Sequence, residues 1–412
     1  MKILIYGINY APELVGIGKY TSEMAEWFVK GGHEVRVITA PPYYPYWKVQ
    51  KPYHAWGYRK ESLNRVDIYR CPVWVPNRPS GLKRLIHQLS FSISSFPVFL
   101  WSIAWRPDVV IAIEPPLSAV ITTGIIARIC GFKSWLHIQD YEIDAALSLG
   151  FISSKMLGRL AGKVERWIMG CFDRVSSISA AMVERSRSKG VLSERSLLFE
   201  NWVDTTQIRI LGNEGSLRRE WRIPKETKVV LYSGNMGRKQ GLEAIPKIAK
   251  ELVQKRPDIL FLLVGDGVVR REIKREILVE KLDNVRLMPL QPIEKLSSLL
   301  ATADVHLVLQ HRGAADLVMP SKLGPIFAAG GASLVTADPG TELFKVVHEN
   351  ELGMIVPPEN TDAILRGILL LLDSPELRRD YQKRARIYAE SKLGKEVILK
   401  KFEEKLCELL KG

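Results

Sequence analysis

The residues able to do chemistry fall in five short stretches, each beside a predicted strand end or helix start. Val318-Met-Pro-Ser-Lys-Leu323 carries the most information. Pro320 leads into Ser321, which suits an N-cap, and Lys322 adds a full positive charge. A helix start offers unpaired N–H groups and the positive end of the helix dipole, which suits a diphosphate. Tyr232-Ser-Gly-Asn-Met-Gly-Arg-Lys-Gln-Gly-Leu-Glu243 surrounds Asn235 with glycines that expose N–H groups, then supplies Arg238 and Lys239 to neutralise phosphate. It is not a Walker loop, because Gly-Lys-Ser/Thr is absent, and a surface turn with solvated bases would read the same way.

The other three stretches offer glycines and carboxylates. In Asn9-Tyr-Ala-Pro-Glu-Leu-Val-Gly-Ile-Gly-Lys-Tyr20, Gly16 and Gly18 would let a ligand approach a helix start closely; a plain tight turn is the alternative. In Trp135-Leu-His-Ile-Gln-Asp-Tyr-Glu-Ile-Asp144, Gln139, Asp140, Glu142 and Asp144 crowd the exit of a strand. Carboxylates there could accept a proton from an attacking hydroxyl or hold an acceptor sugar, and Glu142 and Asp144 could equally be solvated. His137, between apolar neighbours, reads as a core histidine. Asp338-Pro-Gly-Thr-Glu-Leu343 places Glu342 to bond sugar hydroxyls or to open a helix.

These stretches need a frame. Short apolar or β-branched runs at residues 2–7, 35–39, 108–113, 133–138 and 173–178 read as strands, with another at 68–75 and a helix over 18–31. Pro41-Pro-Tyr-Tyr-Pro-Tyr-Trp47 is a loop, since three prolines forbid regular structure. The rhythm restarts with strands at 228–233, 259–264, 285–288, 305–309 and 333–336, and a helix from Gly241 to Val253. Such alternation predicts an α/β fold with two doubly wound parallel-sheet domains. The expected limits are 1–205 and 206–390, with Asp204 to Arg222 as linker. Residues 391–412 form a C-terminal helix that could cross back to the first domain. Open α/β sheets bind ligands beyond the carboxyl ends of their strands, so the two domains are expected to face a cleft.

With 412 residues, 46% hydrophobic and 25% charged, the chain has an ordinary globular composition. Four scattered cysteines give no C-x-x-C pair, so no zinc knuckle, redox motif or disulfide framework is expected. Met1 to Gly7 reads as a first strand rather than a leader. The net charge of +14 asks for an anionic partner. Nucleic acid is disfavoured, because no reader motif or basic stripe appears.

The loops in this order resemble the family 4 glycosyltransferases of the two-domain "B" architecture, GT-B. Pro41-Pro-Tyr-Tyr-Pro45, His137-Ile-Gln-Asp-Tyr-Glu-Ile-Asp144 and Gly234-Asn-x-Gly-x-x-Gln-Gly241 are similar to bacterial fucosyl- and N-acetylfucosaminyltransferases of colanic-acid and O-antigen synthesis. The resemblance implies two Rossmann-like domains, transfer from a nucleotide diphosphate sugar with retained configuration, and no metal or resident cofactor. It implies that Asn235, Arg238, Lys239, Pro320, Ser321 and Lys322 bind the donor, with Gly16 and Gly18 below them. Asp140 and Glu342 would lie at the reacting sugar, and Gln139, Glu142 and Asp144 would bind the acceptor. It also implies attack on the same face, with the leaving phosphate assisting proton removal. Two departures stand out. The family's paired glutamates fall on Leu317 and Pro325, and its usual lysine before the loop glycine is Gln240. Ribose recognition and donor identity are therefore open.

Residues 82–105 carry Lys83 and Arg84 at one end, aromatics throughout and no acid. Indeed no Asp or Glu lies between Asp67 and Asp108. Such a segment could lie in a bilayer interface or pack as an ordinary helix kinked by Pro97. The first reading fits a lipid-diphosphate-linked saccharide acceptor and a cytoplasmic protein, peripheral on an anionic inner membrane surface. Rival readings are a nucleotide-sugar epimerase of the same architecture and a non-enzymatic nucleic-acid- or membrane-binding protein.

Overall fold

The computed structural model describes residues 1–13, 16–144, 155–312 and 320–411. The chain divides into two compact units, Met1–Asn201 with Leu399–Gly412, and Trp202–Ile398.

The first unit is built on one eight-stranded sheet. Its elements run β1 (Lys2–Tyr6), α1 (Ile17–Lys30), β2 (Glu34–Thr39), β3 (Arg59–Leu63), β4 (Val66–Arg70), α2 (Gly81–Ile103), β5 (Val109–Glu114), α3 (Leu117–Cys130), β6 (Lys133–Ile138), α4 (Lys155–Gly170), β7 (Arg174–Ser177) and β8 (Ser196–Leu198). The spatial order is β3-β4-β2-β1-β5-β6-β7-β8, parallel throughout except for β3. β5 is buried at every residue, as a strand covered on both faces must be. The strand expected over 68–75 is instead Val66–Arg70, because it is half of a hairpin. Asn64 and Arg65 both take positive φ, 51° and 67°, as a two-residue hairpin turn demands.

From β4 to β5, β6 and β7, the chain steps along the sheet in one direction through α2, α3 and α4. Right-handed crossovers put these three helices on one face. α1 leads the other way and covers the opposite face, where the C-terminal helix Lys395–Lys411 also packs. Phe402 of that helix lies on Phe199 at 3.8 Å between ring centroids, edge-on to Trp135 at 4.8 Å, and 6.1 Å from Phe28. Glu403 accepts from Trp27 Nε1 and contacts His33 Nε2 at 2.6 Å.

The second unit holds a wholly parallel six-stranded sheet. Its strands are β9 (Lys228–Ser233), β10 (Ile259–Val264), β11 (Val285–Met288), β12 (Val305–Val308), β13 (Ser333–Thr336) and β14 (Met354–Val356), in the order β11-β10-β9-β12-β13-β14. The stretch expected to be a polar linker is packed into this unit. Buried Arg218 donates from Nε to the Thr302 carbonyl, from Nη1 to the Thr227 carbonyl and from Nη2 to Asp304. The helix expected from Gly241 begins at Ala244, after a short 3-10 turn at Arg238–Gln240, because Gly241 turns left-handed with φ 61°.

Candidate functional site

In the second unit, β9 delivers the chain into Gly234, whose φ of 127° suits only glycine. The loop lies on the turn after β10. Gly234 N–H donates to Val264 O, and Met236 N–H to Asp266 O. A side chain at Gly265 would meet the Gly234 oxygen at 1.9 Å, so the two loops touch backbone to backbone. Asn235, Arg238 and Lys239 stand exposed on this loop. Arg238 pairs with Glu272 at 3.0 Å, and the Asn235 carbonyl accepts from Tyr232 Oη at 2.5 Å.

Lys322 comes to the same place from another direction. Its Nζ lies 3.7 Å from the centroid of the Tyr232 ring, and a Cβ added at Gly234 would also lie 3.7 Å from it. The ammonium is enclosed and has no hydrogen-bond partner among the described residues. Burial pulls its pKa down to about 7. Ser321 does not cap the helix that follows. That helix is Leu323–Ala328, Lys322 occupies the cap position, and Ser321 is exposed. Pro320 O accepts from Leu323 N–H at 2.9 Å and closes the turn. Pro325 sits inside this short helix, so the second glutamate position of the family carries no carboxylate; Leu317 lies outside the described residues. Glu342 opens the helix Glu342–Glu349, whose cap is Thr341, accepting from Phe344 N–H at 3.2 Å.

The strand-end loops of the first unit are tightly engaged. Gly16 has φ 65°, and a Cβ there would face the Tyr44 ring at 3.4 Å. At Gly18 a Cβ would lie 2.7 Å from Glu13 Oε2. Glu13 is buried and accepts 2.9 Å bonds from Tyr43 N–H, Tyr44 N–H and Asn9 Nδ2, so it ties the first loop to the aromatic loop. Burial raises its carboxyl against those bonds.

After β6, Gln139 is locked in a reciprocal amide pair with Asn201, at 3.1 and 3.0 Å. His137 is a core histidine beside Ser176, with its pKa pushed down to about 3 by burial. Asp140 is exposed on the loop. Glu142 accepts from Leu117 N–H at 2.5 Å and from Gln88 of α2. Burial lifts its carboxyl to about 7. Asp144 is held by Arg185 Nε at 3.0 Å and Lys189 Nζ at 2.9 Å; burial raises its carboxyl, but these partners outweigh it and leave the group below its ordinary value. Glu142 and Asp144 are thus both half-buried and hydrogen-bonded, and they brace the loop that carries Asp140.

Sequence reasoning missed three buried carboxyls, Glu13, Glu114 and Glu165. Glu114 ends β5, and burial raises its pKa well up, followed by the nearby charges of Glu142 and Glu165. A single acid closing the apolar run Val-Val-Ile-Ala-Ile is the signal that could have marked it.

Residues 15–202 match the model of the "Glycosyl transferase 4-like domain", and residues 213–388 that of "Glycosyl transferases group 1". The chain is 41% identical over 408 residues to the Escherichia coli (strain K12) protein named as a colanic acid biosynthesis glycosyl transferase, WcaI, covering 98% of each chain. The fold is similar to that of sucrose-phosphate synthase from Thermosynechococcus elongatus, with a TM-score of 0.77, 17% identity and 99% of each chain covered. It is similar too to Anabaena HepE, solved in complex with UDP, with a TM-score of 0.71 and 14% identity over 99% of this chain and 100% of that one.

Proposed function

The chain belongs to the retaining family 4 glycosyltransferases, and from that premise we propose that it moves a sugar from a nucleotide diphosphate sugar to a lipid-linked saccharide in surface polysaccharide assembly. Its relative's name points to colanic-acid-type synthesis, and fucose or N-acetylfucosamine is the donor sugar we favour. The observation that carries the donor site is Lys322. A buried ammonium with no hydrogen-bond partner among the described residues, beside the loop that bears exposed Arg238 and Lys239, is what a diphosphate would complete.

In this reading Asn235, Arg238, Lys239, Lys322 and the backbone at Pro320 and Ser321 hold the donor, and Glu342 lies by its sugar. Gly16 and Gly18 shape the first loop of the first unit, which this reading also assigns to the donor. The bond from the anomeric carbon to the diphosphate breaks as the bond to the acceptor oxygen forms. The acceptor's proton leaves with the diphosphate, on the same face. Asp140 orients the reacting sugar, and Gln139, Glu142 and Asp144 support the acceptor by holding that loop. Positive charge in place of a metal would stabilise the leaving group, so activity is expected to persist in EDTA; loss in EDTA with rescue by manganese or magnesium would contradict this.

Titration calorimetry against UDP-, GDP- and dTDP-sugars tests the donor site directly. Arg238→Ala and Lys239→Ala should each weaken donor binding roughly 10- to 150-fold, the range for a charge-assisted bond. Two variants with wild-type affinity would remove this loop from the donor site. The site of action proposed is the cytoplasmic face of the membrane, where the apolar stripe of α2 would meet lipid.

A further inference from the structure

α2 buries Phe91 and Phe99 together with the polar His87, Ser92, Ser95 and Ser102, yet it also carries a second apolar face. Leu82, Leu85, Ile86, Leu89, Ile93 and Leu100 lie outward, on one stripe at helical spacing, with Leu82 68% and Ile93 73% exposed. Its neighbours continue the pattern. Ser92 of α2 bonds Ser118 of α3 at 2.6 Å, and Arg128 of α3 donates to the Gly170 carbonyl that ends α4. α3 presents Ile125 and Ile129, the latter 74% exposed; α4 presents Leu160, Val164 and Trp167.

The charges on this layer have one sign. α2 and α3 contain no acid, and the one acid of α4, Glu165, is buried against Lys189. Lys83, Arg84, Arg128, Lys163 and Arg166 are exposed. An apolar outer layer of three adjacent helices, bearing bases and no exposed carboxylate, matches the headgroup and upper acyl region of an anionic bilayer. A single amphipathic helix would have its stripe at α2 and ordinary polar neighbours.

We propose that α2, α3 and α4 together form one seat for an anionic phospholipid bilayer, extending well past α2. This rests on the reading of a lipid-linked acceptor, and it adds a link. Gln88 of α2 donates to Glu142, which in turn accepts from Leu117 N–H at the start of α3. Two helices of the seat therefore meet on one carboxylate of the loop that carries Asp140. A bilayer that fixes these helices fixes that loop.

The test uses the full chain with phosphatidylglycerol-containing and pure phosphatidylcholine vesicles at low and high salt. Ile129→Glu and Trp167→Glu lie on α3 and α4, away from the α2 stripe. Each should lower the fraction bound to anionic vesicles at least about tenfold at low salt. Leu370→Glu, on an exposed residue of the second unit, should not change it. Far-ultraviolet dichroism and melting curves confirm that the variants fold. Wild-type binding by both seat variants would confine the seat to α2 and overturn the proposal. So would a concentration-dependent dimer in size-exclusion chromatography with light scattering that both variants disperse, since the face would then be an interface between copies. Donor binding, measured without vesicles, fails only if the transferase reading fails, so the two ideas fall separately.

Discussion

Lys322 is the residue on which the donor site turns, and its burial has consequences of opposite sign for stability and for binding. Its ammonium titrates near 7 in the folded chain and near about 10.4 when unfolded. Between those values the unfolded chain holds the extra proton, so this group makes stability rise with pH across that window. Lys322→Met should remove that slope and raise the melting temperature at pH 7, while weakening the donor roughly 10- to 150-fold. A diphosphate favours the charged lysine, so donor binding at pH 8 should take up a proton. Calorimetry in buffers of different ionisation enthalpy reads that uptake, and an enthalpy independent of buffer would place Lys322 away from the diphosphate. The lysine itself was legible in the sequence through Pro-Ser-Lys. Its enclosure against Tyr232 was not, because nothing in local spacing brings residue 322 to residue 232.

Among elements, the parallel strands were the easiest to read. Runs such as Ile259–Val264 are buried on both faces and so are apolar at every position. β3 was not read, because Arg-Lys-Glu-Ser-Leu is an exposed edge strand whose composition resembles a loop. The helix starts were read about one turn early at Gly241 and one residue early at Ser321, where the chain first makes a tight turn. Glu13 shows why the loops resisted most: a lone carboxylate after Pro12 has no period, and its backbone partners Tyr43 and Tyr44 lie about 30 residues on. The loop it holds can still be tested. In Gly18→Ala the new methyl must displace Glu13, which gives up bonds to two backbone N–H groups, so a loss of about 1–3 kcal/mol is expected from urea unfolding. An unchanged midpoint would mean that the carboxylate moves aside freely.

At the scale of the whole molecule, the division of the chain matters more than its length. The first unit takes its last packing element from residues after Ile398, beyond the entire second unit. Phe402 is buried among Phe28, Trp135 and Phe199, so Phe402→Ala should cost about 3–5 kcal/mol and should lower the unfolding midpoint of the first unit. Tryptophan fluorescence, nine of whose ten sources lie before residue 205, would follow it; a variant that melts like wild type would show the helix to be a loose appendage. The same arrangement sets a schedule on the ribosome. At about 5–20 residues per second, roughly 10–40 s pass between synthesis of Asn201 and of Phe402. During that interval the nascent first unit has a complete sheet but an open aromatic face, ready for a chaperone or for another nascent chain. Expression yield should therefore depend on how that face is shielded before the final helix emerges.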